Sequence, residues 1–581
     1  MRRMKPFLMI LGILMTALFA ATAFAGHGGS SGGHDAVVIE GGDTINIAGI
    51  IKDSHGEPIN EVGVTVLVNG EKIDQTETAH NGKYVSRFML EKGKIELSKV
   101  TVEVYKASFA KTGIEFEGAE LARHGDHLYI SEDITVPRVL GPAFWISTIV
   151  FILAYALITF ELLHRTIAAM LGASLMMAIS YTIGTINPEY HIFSFESAIG
   201  SIDMNVIFLL MGMMIIVGIL KNTGVFQWCA YITYKLAKGK VFVLAIYLMI
   251  FTAVASAFLD NVTTMLLLTG VAIEICVSLS INPLHLLIPL VLASNIGGTA
   301  TLIGDPPNIM IGSFAGLTFM NFVVALAGVC VVSMLALFFY SKMVWGKSYA
   351  SAKVENVTDY IEELKKKYPI TDSTLLTYGL GVLIFVVALF LSHGYWHMEV
   401  CIAALLGAAI LFTIALVTKK VNFLELVEKD IEWPTLMFFI FLFILVGAVE
   451  SSGLLSLIAD WILNLSQGNF VIACSLILWV AAIMSAFVDN IPFTATMLPI
   501  VAYLSQVIPG AENTLWWALA LGACFGGNGT MIGASANVVT VGIAESRGYK
   551  ISFIGFMKVA FPYMIISIII AHVWLLMVRP V

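Results

Sequence analysis

From about residue 142 onward the chain is a succession of apolar runs separated by short polar breaks. The runs are roughly 17–25 residues long, the length a helix needs to cross a bilayer. In the first half they fall at 142–163, 167–186 and 206–220. Two arms follow at 241–259 and 262–280, then 283–319 with an interruption in its middle, then 322–340. A charged linker, 341–370, precedes a second series at 375–391, 400–417 and 434–449, the arms 471–488 and 491–507, and the runs 514–545 and 553–578. Before all of this, residues 44–137 follow a different rule. TINIAGIIKD, VGVTVLVNG, KYVSRFML and KVTVEVYKA alternate apolar and polar positions, the period-2 pattern of half-buried strands. Asn69-Gly70 and Asn81-Gly82 supply turns between them. The predicted fold is a polytopic α-helical membrane protein carrying an N-terminal all-β sandwich.

The two helical halves are copies. An offset of 229 residues brings Asp203 onto Glu432, Gly218 onto Gly447, Gly224 onto Gly453 and Asp260 onto Asp489. IGGTATLIGDPPN (296–308) then meets FGGNGTMIGASAN (525–537). Chance alignment of apolar sequence matches scattered Leu and Ile, not the scarce Gly, Asp and Asn, so this is an internal duplication. Each copy reads as five full spans, a re-entrant hairpin and a broken helix. An odd number of spans inverts the second copy relative to the first, an arrangement found in secondary transporters.

Composition and charge sharpen the picture. The chain is 58% hydrophobic and 12% charged, which excludes a soluble globular protein. Arg2, Arg3 and Lys5, an apolar run and Ala23-Phe24-Ala25 form a secretory signal over residues 1–25. A periplasmic domain (26–137), a first transmembrane repeat (142–341), a cytoplasmic linker (342–373) and a second repeat (374–581) are expected to follow. Lys221, Lys235, Lys238, Lys240, Lys365–Lys367, Lys419, Lys420, Lys429, Arg547 and Lys550 all fall on one predicted side, and the loops 187–203, 392–399, 451–469 and 508–513 hold no Lys or Arg. Positive residues stay inside, which puts a multi-pass protein in the inner membrane with its sandwich outside. The six cysteines, all in the apolar part, read as packing residues, and His124 and His127 as exposed loop histidines. No ATP-binding motif or catalytic spacing appears, and nothing points to nucleic acid or to a cofactor beyond a coupling ion.

Chemistry concentrates at two hairpin tips and two breaks. SAFLDN (256–261) and SAFVDN (485–490) each set an Asp-Asn pair between apolar arms. A carboxylate in the bilayer centre costs at least about 2.5–3.5 kcal/mol on insertion scales, so two in matched places mark function. A helix breaks in lipid only where its freed backbone lines a cavity or packs on protein. Gly297-Gly298 and Pro306-Pro307 are expected to unwind the first broken helix around Asp305, and Gly526, Gly527 and Gly529 the second. Asp260, Asn261, Thr263, Thr264, Asn295, Gly297, Gly298, Thr301, Asp305 and Asn308 are the candidate site residues of the first half. Asp489, Asn490, Thr494, Asn528, Thr530, Ser535 and Asn537 are those of the second, where Ala534 replaces Asp305. Na⁺, a hard cation that takes oxygen ligands, is the candidate metal at Asp260, Asn261, Asp305 and Asp489. Asp260 and Asp489 can also serve as helix caps, and Asp203 and Glu432 read as caps at the membrane edge.

SAFLDNVTTMLL followed by SNIGGTATLIGDPPNIMIG resembles the ion-transporter superfamily over roughly 143–580. Its nearest members here look like the P protein, the NhaD-type sodium/proton antiporters and the ArsB-type arsenite carriers, with citrate and dicarboxylate carriers more distant. The resemblance implies a homodimer in which a transport domain holding both hairpins and both breaks moves as an elevator. The sandwich is similar to the carboxypeptidase regulatory-like domain.

Three functions compete. Na⁺/H⁺ exchange needs acids that hold a proton or Na⁺ in turn. A cation-coupled carrier of citrate, a dicarboxylate, arsenite or another oxyanion needs free amides at both breaks. A membrane-anchored sensor would work through the sandwich alone.

Overall fold

A computed structural model describes residues 43–578 apart from 55, 57, 80, 92–94, 96–97, 125–126, 353–356 and 512. The expected signal over residues 1–25, and residues 26–42 of the expected periplasmic domain, lie outside the described residues. The chain forms two units.

The first unit takes in the strands to Phe151, Ser174–Ala198 and Ser451–Leu454. Its strands are β1 (Asp43–Lys52), β2 (Gly63–Val68), β3 (Glu71–Glu77), β4 (Lys83–Leu90), β5 (Lys99–Tyr105), β6 (Thr112–Glu117), β7 (Ala122–His124), β8 (His127–Ser131) and β9 (Ile134–Thr135). One sheet runs β4-β1-β8-β7 with β9 beside β1, and the other β3-β2-β5-β6. Alternate residues, among them Ile45, Ile47, Val64, Val66, Val100 and Val102, are fully buried in a shared core. Asn69 and Gly70 have φ of 52° and 85°, the positive pair that a two-residue hairpin requires between β2 and β3. The four alternating segments became β1, β2, β4 and β5. The sequence reading did not pick out β3, polar at nearly every position (EKIDQTE), or β6–β9.

Leaving aside single turns and short helices, the rest of the chain is helical. The elements are α1 (Pro142–Thr159), α2 (Arg165–Tyr181), α3 (Met204–Lys221), α4 (Val225–Ala237), α5 (Val241–Phe258), α6 (Asn261–Ser278), α7 (Leu284–Thr299), α8 (Pro306–Ala315), α9 (Phe319–Ala350) and α10 (Val357–Lys367). The second half holds α11 (Ser373–Trp396), α12 (Val400–Val417), α13 (Trp433–Ser452), α14 (Leu454–Ser466), α15 (Phe470–Phe487), α16 (Asn490–Val507), α17 (Thr514–Gly526), α18 (Ser535–Ser546) and α19 (Phe553–Val578). Among the described residues eleven helices are long and apolar enough to cross a membrane. The 229-residue offset recurs in the helix starts: Met204 and Trp433, Val225 and Leu454, Val241 and Phe470, Asn261 and Asn490, Pro306 and Ser535. Thus α5–α6 and α15–α16 are hairpins turning at Asp260 and Asp489, and α7–α8 and α17–α18 are broken helices.

Three details differ from expectation. The short helices α4 and α14 occupy segments read as loops. Helix α9 runs to Ala350, ten residues past the end of its apolar run. Lys342, Trp345, Lys347 and Tyr349 lie in that extension, where apolar stems and polar tips suit a membrane edge. The glycines at the breaks also act otherwise than expected. Helix α7 stays wound through Gly297 and Gly298 to Thr299. A Cβ on Gly297 would sit 2.1 Å from the Ala253 carbonyl oxygen, and one on Gly298 would sit 2.5 Å from that of Gly304. These glycines let backbones touch; the unwinding is at 300–305.

Candidate ion site

Six helix starts converge on one small cavity in the second unit. Arg165 opens α2, Asp260 caps α6, Asp305 stands before α8, Glu432 precedes α13, Asn490 opens α16 and Ser535 opens α18; all six residues line it, with Leu210, Met214, Asn261 and Thr435 among the rest. Helix N-termini carry partial positive charge from unpaired amides. The acids at the cavity answer that charge, each in its own way.

Asp260 is a working cap. It accepts from the Val262 and Thr263 amides at 3.2 and 2.9 Å and from the Thr263 hydroxyl at 2.8 Å. Asp489 accepts from the Ile491 amide at 3.2 Å. Asp305 holds the same place before α8 but makes no side-chain cap bond. The reason is local: Pro306 and Pro307 have no N–H to donate. The next amide, that of Asn308, already donates to the Asp305 carbonyl at 3.0 Å. The carboxylate is therefore released from capping. It is 1% exposed, and Asn490 of the other half reaches it with Nδ2 at 3.3 and 3.5 Å from its two oxygens. Among the described residues no Lys, Arg or His forms an ion pair with Asp305, Asp260 or Glu432.

Asp489 does have such a partner. Arg165 Nη1 lies 3.0 Å from its Oδ2 and also donates to the Ser535 hydroxyl. Ser535 itself donates to Asp489 at 3.0 Å. Arg165 Nη2 is 3.4 Å from Thr435 Oγ1. The two hairpin tips, matched in sequence, therefore differ in charge: one acid is neutralised by the protein and the other is not. Arg165 was not among the candidates read from the sequence, and Glu432 was read there only as a cap. Glu432 accepts from Thr435 at 3.1 Å and faces the cavity.

Behind the cavity a chain of amides joins the halves. Asn261 Nδ2 donates to Asn295 Oδ1 (3.3 Å), and Asn295 Nδ2 donates to both Asn528 and Asn537 Oδ1 (3.0 Å each). Asn537 passes on to the Gly527 and Thr530 carbonyls at 2.8 Å, as Asn308 does to those of Thr299 and Thr301 at 3.0 and 2.8 Å. These four break carbonyls are thus paired, as buried carbonyls require. Thr301 and Thr530 lock the breaks to the Ala257 and Ala486 carbonyls, and Thr494 bonds back to the Asn490 carbonyl. Thr264 Oγ1 and Asn528 Nδ2 are buried without a partner among the described residues.

The family profile described as citrate transporter (CitMHS) matches residues 155–522. The chain belongs to the citrate transporter family. An uncharacterised transporter of Mycobacterium tuberculosis is 40% identical over 432 residues, 74% of this chain and 97% of its own length. The human P protein is 35% identical over 516 residues, 75% of this chain and 60% of its own length. The crystal structure of the YdaH transporter of Alcanivorax borkumensis superposes with a TM-score of 0.51 at 11% identity, over 72% of this chain and 99% of that one, which is a likeness of fold. The protein is therefore a multi-pass membrane transporter and not an enzyme. The P protein, expected among the nearest members, is matched, and the citrate carriers, expected to be more distant, give the family profile its description.

Proposed function

We propose that the protein is a secondary active transporter that exchanges Na⁺ for H⁺, with Asp305 as the carboxylate on which they compete. One observation carries the reading: Asp305 is buried, freed from capping by Pro306-Pro307, and touched by an Asn amide but by no basic side chain. A carboxylate so placed has to be neutralised by a proton or a cation. The cavity volume is about 20 Å³, room for one water-sized occupant. Asp260 and Asn261, which line the cavity, offer further oxygens. Occupancy by a proton or by Na⁺ at one carboxylate is the requirement for exchange. On this reading the hairpins and broken helices move together against the remaining helices in a homodimer of the inner membrane, with the sandwich on the outer side.

A cation-coupled citrate-like carrier is the second reading. It is favoured by the family description and by the Arg165 guanidinium at the cavity, a group suited to a carboxylate ligand. Proteoliposomes with an internal pH dye separate the two. Under exchange, a Na⁺ gradient alone moves protons. Proton movement or charge uptake that appears only when citrate or another small anion is added overturns exchange in favour of the carrier.

A further inference from the structure

We infer that Arg165 is a tethered cation filling the charge site of the second hairpin, so that each protomer takes its mobile cation at the first hairpin only. This role presupposes the cation reading of Asp305. The two tips have the same backbone: Asp260 has φ −56° and ψ 140°, Asp489 φ −47° and ψ 133°. Each begins a hairpin's second arm and accepts amides of its first turn. What separates them is the group in front of the carboxylate.

At Asp489 the guanidinium is held on every side. Nη1 binds the carboxylate and the Ser535 hydroxyl, Nη2 approaches the Thr435 hydroxyl, and the Phe438 ring lies 5.2 Å from Cζ. Three oxygens and an aromatic face are a cation's surroundings. Arginine does not lose its proton in proteins, and its stem fastens it to α2, so this cation neither leaves nor titrates. At Asp260 no such group stands. Arg165 lines the same cavity as Asp260, yet among the described residues its ion pair is with Asp489 alone. The duplication thus built two equivalent charge sites, and one side chain closes one of them. Arg165 sets the number of ions carried, not their chemistry.

The test counts bound ²²Na⁺ per protomer at saturation on the purified full-length protein. Wild type should bind one. Arg165→Gln opens the Asp489 site and should bind two, and the double variant Arg165→Gln/Asp489→Asn should return to one. A count of one in Arg165→Gln overturns the inference while leaving the cation reading intact, and so does a count of two in wild type. Wild type that binds no Na⁺ overturns the cation reading itself. Should Arg165→Gln fail to fold, Asp489→Asn alone decides. Its count should stay at one with affinity within about threefold, whereas a tenfold weakening would make Asp489 a ligand of the mobile ion.

Discussion

Asn490, at the tip of the second hairpin, hydrogen-bonds Asp305 in the break of the first half at 3.3 Å. The pairing crosses the duplication: each copy supplies part of the other's site. Asp305 is the acid without an equivalent, since Ala534 occupies its place in the second break with nearly the same backbone (φ −144°, ψ 134° against φ −147°, ψ 143°).

Removing the Asp305 charge should separate stability from transport. Asp305→Asn keeps the size of the side chain and removes a buried carboxylate that lacks a basic partner. Thermal unfolding in detergent should show stability unchanged or raised by about 1–3 kcal/mol, while Na⁺-driven flux is lost. A folded, fully active variant would remove Asp305 from the mechanism.

The amide chain gives a second test. Asn295→Ala strips partners from Asn261, Asn528 and Asn537 together. Each buried group left unpaired costs about 1–3 kcal/mol, so a marked fall in melting temperature is expected. An unchanged melting temperature would mean that the chain does not join the two halves.

Glycine substitutions separate close packing from backbone freedom. Gly297→Ala sets a Cβ against the Ala253 backbone and should destabilise by about 1–3 kcal/mol or more. Gly542→Ala, in the helix α18 with nothing within 4 Å of the new atom, should be neutral or stabilising by about 0.5–1 kcal/mol. Equal effects in a thermal-shift assay would contradict the packing role.

In the sandwich unit, Lys106 donates to the Asn60 carbonyl at 2.6 Å beside Glu61, which accepts from Ser194 and Ser197. Burial pushes the Lys106 ammonium down to about 8 from 10.5, with Arg138 adding to the fall and Glu61 opposing it. The unfolded chain then binds more protons than the folded one between those values, so Lys106 adds stability as pH rises from about 8 toward 10.5. Lys106→Met should flatten that rise in a melting-temperature series across the window. A series with an undiminished slope would assign the rise to another group.

Much of this architecture was legible because membranes and sheets impose simple periods. Long apolar runs located the spans, alternation located β1, β2, β4 and β5, and the 229-residue offset paired the hairpins and the breaks. The site was less legible because its decisive contacts join residues far apart in the chain. Arg165 reads as an ordinary basic residue at a span boundary until α2 brings it to Asp489, 324 positions away. Nor does Asp-Pro-Pro announce that its prolines release the acid from capping; that follows only once α8 is seen to start at Pro306. Asn308 and Asn537 were marked by their places in the repeat, but their work is to satisfy the carbonyls of the breaks.

The most direct measurement is apparent Na⁺ affinity against pH, from about 5 to 8, on the purified protein and on Asp305→Asn. If a proton and Na⁺ compete for Asp305, wild-type affinity should weaken as pH falls, by up to about tenfold per unit for one proton. Asp305→Asn should show a flat profile with weak binding. Wild-type Na⁺ binding that ignores pH across this range, or an unaltered profile in Asp305→Asn, would contradict exchange at this carboxylate.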